Sequence, residues 1–142
     1  MLPLVPTDLA QLVRDAYDAW NAGDLERFVS FSTPDVILHT SGAFPDLPGE
    51  YRGHEGVRGF WRDVRGPWDE LAIEVESVVQ EGDFALVSFR FRARGRDGLE
   101  VNARFFQVGE VRDGLVRRID AFVEESEAVR AFESWQAAER TA

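Results

Sequence analysis

The 142 residues carry 26 acidic against 16 basic side chains, a formal net charge of −10, with 44% apolar residues and no cysteine. That length makes one domain, 1–142, with apolar content enough for its own core. The charge disfavours nucleic-acid phosphates as partners, and the lack of cysteine excludes disulfides, thiolate metal sites and thiol nucleophiles.

Residues 1–6 lack the basic start and long apolar run of a signal peptide. No stretch approaches the roughly 18 apolar residues of a membrane span, so the expectation is a cytoplasmic protein with no membrane partner. Thr7 is a suitable N-cap for a first helix, whose stripe is Leu9, Leu12, Val13, Ala16, Tyr17 and Trp20. Gly23 ends it, and Asp24 caps a shorter helix carrying Leu25, Phe28 and Val29. Thr33-Pro34 closes that helix. Residues 35–40 read as a first strand and 41–53, with two prolines and three glycines, as a long loop. A third helix over 54–65 has Val57, Phe60, Trp61 and Val64 on its apolar face. Its Gly56 and Gly59 are poor helix formers, which implies close packing against a neighbour.

After Gly66-Pro67 the apolar period changes from 3.6 to 2, and Leu71, Ile73 and Val75 alternate with polar or small residues. Turn signals at 81–83, 95–98 and 112–114 separate further strands at 84–94, 99–111 and 115–123. A last helix, 124–139, carries Ala128, Val129, Phe132 and Trp135. The order is α-α-β-α-β-β-β-β-α, an α+β chain in which a curved antiparallel (mixed) sheet forms a half-barrel. The helices close it, and a cone-shaped apolar pocket is expected between the two.

Three segments, Trp20-Asn21-Ala22-Gly23-Asp24, Tyr51-Arg52-Gly53-His54-Glu55-Gly56-Val57 before Phe60-Trp61, and Arg112-Asp113-Gly114-Leu115-Val116, occur in an order and spacing that resemble the SnoaL-like branch of the nuclear-transport-factor-2-like superfamily. The resemblance runs from about Leu9 to Phe132. It implies a ligand pocket in a fold shared by ketosteroid isomerases, polyketide cyclases, epoxide hydrolases, dehydratases and non-catalytic binding proteins. It does not by itself choose among them.

Within that resemblance, His39 stands where ketosteroid isomerases keep a general-base aspartate, and imidazole titrates near physiological pH. The alternative is a half-buried strand histidine bonded to backbone. Asp120 resembles the acid of polyketide cyclases and limonene-epoxide-type hydrolases, where an apolar pocket raises a carboxyl pKa. The alternative is an outer-face aspartate paired with arginine. Arg90 resembles the arginine of the epoxide-hydrolase motif, but Arg92 stands where that motif needs its second aspartate. Tyr17, Trp20, Phe60, Trp61 and Phe106 are candidate pocket walls, Asn102 and Arg104 candidate polar contacts, and Tyr51 and Phe44 a candidate lid.

Alternation sets Ala85, Val87, Phe89, Phe91 and Ala93 on one strand face and Leu86, Ser88, Arg90, Arg92 and Arg94 on the other. Patterning sends the Phe row inward, whereas the family register turns Arg90 inward. The second arrangement needs a covered outer Phe row, which argues for a homodimer packed sheet to sheet. The two histidines, His39 and His54, lie in no metal-ligand spacing, and no nucleotide loop or serine-hydrolase elbow is present. The expectation is thus a protein without metal or cofactor that binds a small apolar molecule. It is either an isomerase, cyclase or dehydratase using acid–base chemistry on a carbonyl substrate, or a non-catalytic binding or accessory protein.

Overall fold

A computed structural model describes residues 8–40 and 46–141. Thr7 and Phe44 lie outside them. Asp8 is the observed cap of α1 (Leu9–Asn21), accepting from the Gln11 amide. Asp24 caps α2 (Leu25–Ser30) in the same way through Arg27. There follow β1 (Ser32–His39), β2 (Glu50–Arg52), α3 (Gly53–Arg65), β3 (Trp68–Glu81), β4 (Phe84–Gly95), β5 (Glu100–Arg112), β6 (Leu115–Phe122) and α4 (Glu125–Thr141). Among the described residues no helix is long and apolar enough to cross a membrane.

The six strands form one curved, unclosed sheet in the order β2-β1-β6-β5-β4-β3. All neighbours are antiparallel except β1 and β6, which run parallel. The sheet is therefore mixed. Short turns build its meander, two residues at 82–83 and 113–114 and four at 96–99; Asp113 and Gly114 both take positive φ (54° and 79°), matching the twist a tight hairpin needs. Two elements depart from the sequence reading. Strand β1 starts at Ser32 and runs through Pro34, where its pairing with β6 is interrupted between Ser32 and Ile37, and an irregularity is where a strand tolerates proline. Strand β2 lies within the stretch read as loop. Three residues are too few to show alternation, yet Tyr51 at its centre is buried.

The Phe row of β4 faces inward. Ala85, Val87, Phe89, Phe91 and Ala93 are all buried in one core with Tyr17 and Trp20 of α1 and Phe60 and Val64 of α3. The arginines of the other face meet acids of β3: Arg90 with Glu76, Arg92 with Glu74, Arg94 with Glu70. Patterning thus prevails over the family register at Arg90, and the chain's own helices cover the Phe row. A second subunit is not required for that purpose. Helix α4 lies on the convex face, where Ala128 and Phe132 pack on Phe84, Phe106 and Val108.

The neighbour that Gly56 and Gly59 pack against is Tyr51. A Cβ at Gly56 would stand 2.9 Å from the Tyr51 carbonyl carbon, a backbone atom that cannot swing aside. Gly56→Ala should therefore destabilise by about 1 kcal/mol, because strain of roughly 1–3 kcal/mol exceeds the helix-propensity gain of about 1. Urea denaturation measures this, and a stabilised variant would contradict the packing.

Candidate functional site

The middle of the concave face is filled by rings. Phe89 is fully buried, stacks on Phe105 at 4.9 Å and meets Tyr17 edge-on at 4.7 Å. Trp20, also fully buried, touches Phe28, Phe60 and Trp61 with centroids 4.8–6.1 Å apart. The Arg65 guanidinium covers Trp61 at 4.6 Å. Tyr17, Trp20, Phe60 and Trp61, expected as pocket walls, are thus largely packed against one another. The space between helices and sheet is divided by this plug into two hollows, and Phe89 stands between them.

The inner hollow, about 60 Å³, lies under α1 and α2 against Val87, Gln107 and Ile119. Its polar feature is the Tyr17 hydroxyl, which donates to Gln107 Oε1 at 3.1 Å. Burial pushes the Tyr17 pKa up, and the Gln107 bond offsets only part of this, so the phenol stays a neutral donor. A space of that size suits a water or two.

The outer hollow is an open cleft of about 420 Å³ beside the end of α3. Its walls include Leu47, Trp68, Phe91, Val101 and Phe105, with Asp46 and Asp63 at the side. Trp68 and Phe91 meet edge-on at 6.0 Å, as do Phe91 and Phe105 at 6.3 Å. The Tyr51 hydroxyl donates to Asp63 Oδ2 at 2.9 Å. Burial, then this carboxylate, raise the Tyr51 pKa. Tyr51 therefore works from beneath the site, holding Asp63, rather than as a lid over it.

His39 and Asp120 do meet, on the other side of the sheet. The pairs Glu50–His39 and His39–Asp120 continue to Val108 and Leu86, a row on the convex face, while their neighbours Leu38 and Ala121 are buried on the concave side. His39 Nδ1 lies 2.8 Å from Asp120 Oδ1, and Nε2 lies 2.8 Å from Glu50 Oε1. Arg52 pairs with Glu50 at 2.5 Å, Arg118 with Asp120 at 3.3 Å, and the Arg118 guanidinium sits 4.0 Å over the Trp135 ring. Burial would lower the His39 pKa, but the bonds to Asp120 and Glu50 outweigh it and leave the pKa raised.

The remaining candidates also lie on that side of the sheet. Arg90 donates to Asn102 at 3.0 Å, and Arg104, which borders the cleft, to Glu76 at 2.9 Å. Phe106 belongs to the core beneath α4. Among the described residues no group of three His, Cys, Asp or Glu is arranged to hold a metal ion.

The profile of the SnoaL-like domain matches residues 13–119, most of the chain. The chain belongs to the SnoaL-like family. Solved structures similar to this SnoaL-like domain include an NTF2-like protein of unknown function from Burkholderia pseudomallei, 25% identical over 87% of this chain and 95% of that one, with a TM-score of 0.72. IdmH, a candidate polyketide cyclase from Streptomyces antibioticus, is 22% identical over 87% and 96%, TM-score 0.72. TerC, co-crystallised with polyporic acid, is 19% identical over 90% and 98%, TM-score 0.74. At such identities the last two show the fold alone. Among curated proteins none matches the chain.

In this SnoaL-like domain the sequence reading did not single out Asp63, Gln107 or Glu50. A signal existed for Gln107: along β5 the inward positions are Phe105, Gln107, Gly109 and Val111, so one polar side chain interrupts an apolar face. Asp63 and Glu50 had none, because each gains its meaning from where β2 lies: β2 brings Tyr51 to Asp63, and carries Glu50 to His39 of β1.

Proposed function

We propose that this SnoaL-like domain binds an apolar, ring-bearing small molecule in the cleft beside α3. The observation that carries the reading is the cleft itself: about 420 Å³ walled by Trp68, Phe91, Val101 and Phe105, with a carboxylate fixed by Tyr51. A mainly apolar concavity with a few placed polar groups is the usual form of a small-molecule site. The inner hollow, at about 60 Å³, is too small for such a ligand. The fold is compatible with this use, since TerC was co-crystallised with polyporic acid.

A second reading, cofactor-independent acid–base catalysis on an apolar carbonyl compound by an isomerase, cyclase or dehydratase, is favoured by the His39–Asp120 bond, which orients an imidazole as a general base is oriented. Its Nε2 is held by Glu50, and the pair faces away from the cleft, so ligand binding is the stronger reading.

Ala103 separates the two. It is exposed and lines the cleft, so Ala103→Trp fills the space at little folding cost. The neutral fluorescent probe N-phenyl-1-naphthylamine should bind the natural protein and lose at least tenfold in affinity to the variant, with Tm almost unchanged. Equal binding by both would refute the cleft. Any turnover found with a carbonyl substrate should fall in step, and turnover untouched by Ala103→Trp would move the chemistry to the His39 side.

A further inference from the structure

The acids of the cleft are out of place on grounds of stability alone. Asp63 lies in the last turn of α3, where the helix's partial negative charge disfavours a carboxylate and favours a cation. Val64, Pro67 and Trp68 at that same helix end also line the cleft, so the negative end of α3 borders the space a ligand would fill. Asp46 adds a second carboxylate to the lining. Tyr51, buried behind the wall, gives its hydroxyl to one Asp63 oxygen and so fixes the group in place.

The cations nearby do little to neutralise this. Arg62 meets Asp63 at 3.5 Å, but its side chain is 77% exposed, and water screens such a pair. Arg104 borders the cleft, yet its guanidinium is bonded to Glu76 at 2.9 Å. The remaining walls are aliphatic side chains and the three rings of Trp68, Phe91 and Phe105, and aromatic rings can attract cations over their faces. An anionic ligand would meet two carboxylates, a helix C-terminus and a net charge of −10. A neutral one would cover the carboxylates without satisfying them.

We infer that the ligand of this cleft is an apolar cation: a hydrophobic ring system carrying an ammonium group, with the ring among Trp68, Phe91 and Phe105 and the positive charge against Asp63. This rests on the proposal that the cleft is the ligand site, and the test keeps the two apart. Benzyltrimethylammonium and its uncharged isostere neopentylbenzene have the same shape and differ by one charge. Each is titrated into the full chain and followed by amide and indole shifts in two-dimensional NMR, with phenylacetate as the anionic counterpart.

The cation should bind saturably, at least tenfold more tightly than the isostere, and shift the Trp68 indole; phenylacetate should bind more weakly than either. In Asp63→Asn, whose amide oxygen still accepts from Tyr51, the preference should vanish while the spectrum stays folded. An isostere that binds as well as the cation overturns the charge inference and leaves the cleft standing. A preference that survives Asp63→Asn overturns the assignment to Asp63. If neither compound shifts cleft resonances, the cleft proposal fails and this inference with it.

Discussion

Phe89→Ala should lose about 3–5 kcal/mol of stability, the usual range for deleting a fully buried phenylalanine, and lower Tm by roughly 10 °C or more in a domain of this size. Phe89 is fully buried at the centre of β4, held by Tyr17 on one side and Phe105 on the other. Both partners are anchored elsewhere, Tyr17 by its hydrogen bond to Gln107 and Phe105 by the sheet ladder, so neither can collapse far into the gap. The same substitution has a second consequence. Phe89 stands between the inner hollow and the cleft, so its removal should join them into one apolar space. An enlarged, mainly apolar space of that kind has room for benzene. Benzene should therefore raise the Tm of Phe89→Ala and leave that of the natural protein nearly unchanged. A loss below about 1.5 kcal/mol, or no benzene effect, would show that the plug relaxes and does not partition the interior.

The plug also explains where sequence reading succeeded and where it stopped. The types of the longer elements were legible because they depended on a local period: the 3.6-residue stripe of α1 and the strict alternation of Ala85, Val87, Phe89, Phe91 and Ala93 were enough to orient helix and strand. Orientation of Arg90 followed from that alternation, and the family register pointed the wrong way. The site was less legible because it depends on contacts distant in sequence. Tyr17 and Gln107 are 90 residues apart, His39 and Asp120 81. Composition offered many aromatics, and they serve a core and a pocket wall equally well. Only packing decides that Trp20 fills the interior while Trp68 borders a cleft. Asp63 remained hidden for a further reason: its partner Tyr51 sits on a three-residue strand that no periodicity reveals.

Asp120→Ala should cost about 2 kcal/mol near pH 6, in the range of hydrogen bonds to charged groups, and less near pH 9. Asp120 is the most enclosed acid of its cluster, its side chain 13% exposed against 32% for His39 and 38% for Glu50. It joins three elements, accepting from His39 of β1 and Arg118 of β6, whose guanidinium lies over Trp135 of α4. The pH dependence comes from His39, which faces Asp120 and Glu50, with Arg118 and Arg52 behind them. A protonated imidazole donates to both carboxylates; a neutral one has a single N–H and must give up one. The folded pKa of His39 is raised, so its contribution is complete below the unfolded value, near 6.5, and is lost as pH rises through the folded value. The difference between natural protein and variant should narrow over that window without closing, because the Arg118 pair survives. Urea denaturation at the two pH values measures it. A difference that does not change with pH would mean that His39 carries no charge between its two carboxylates, and the cluster would then be a neutral hydrogen-bonded strut between β2, β1 and β6.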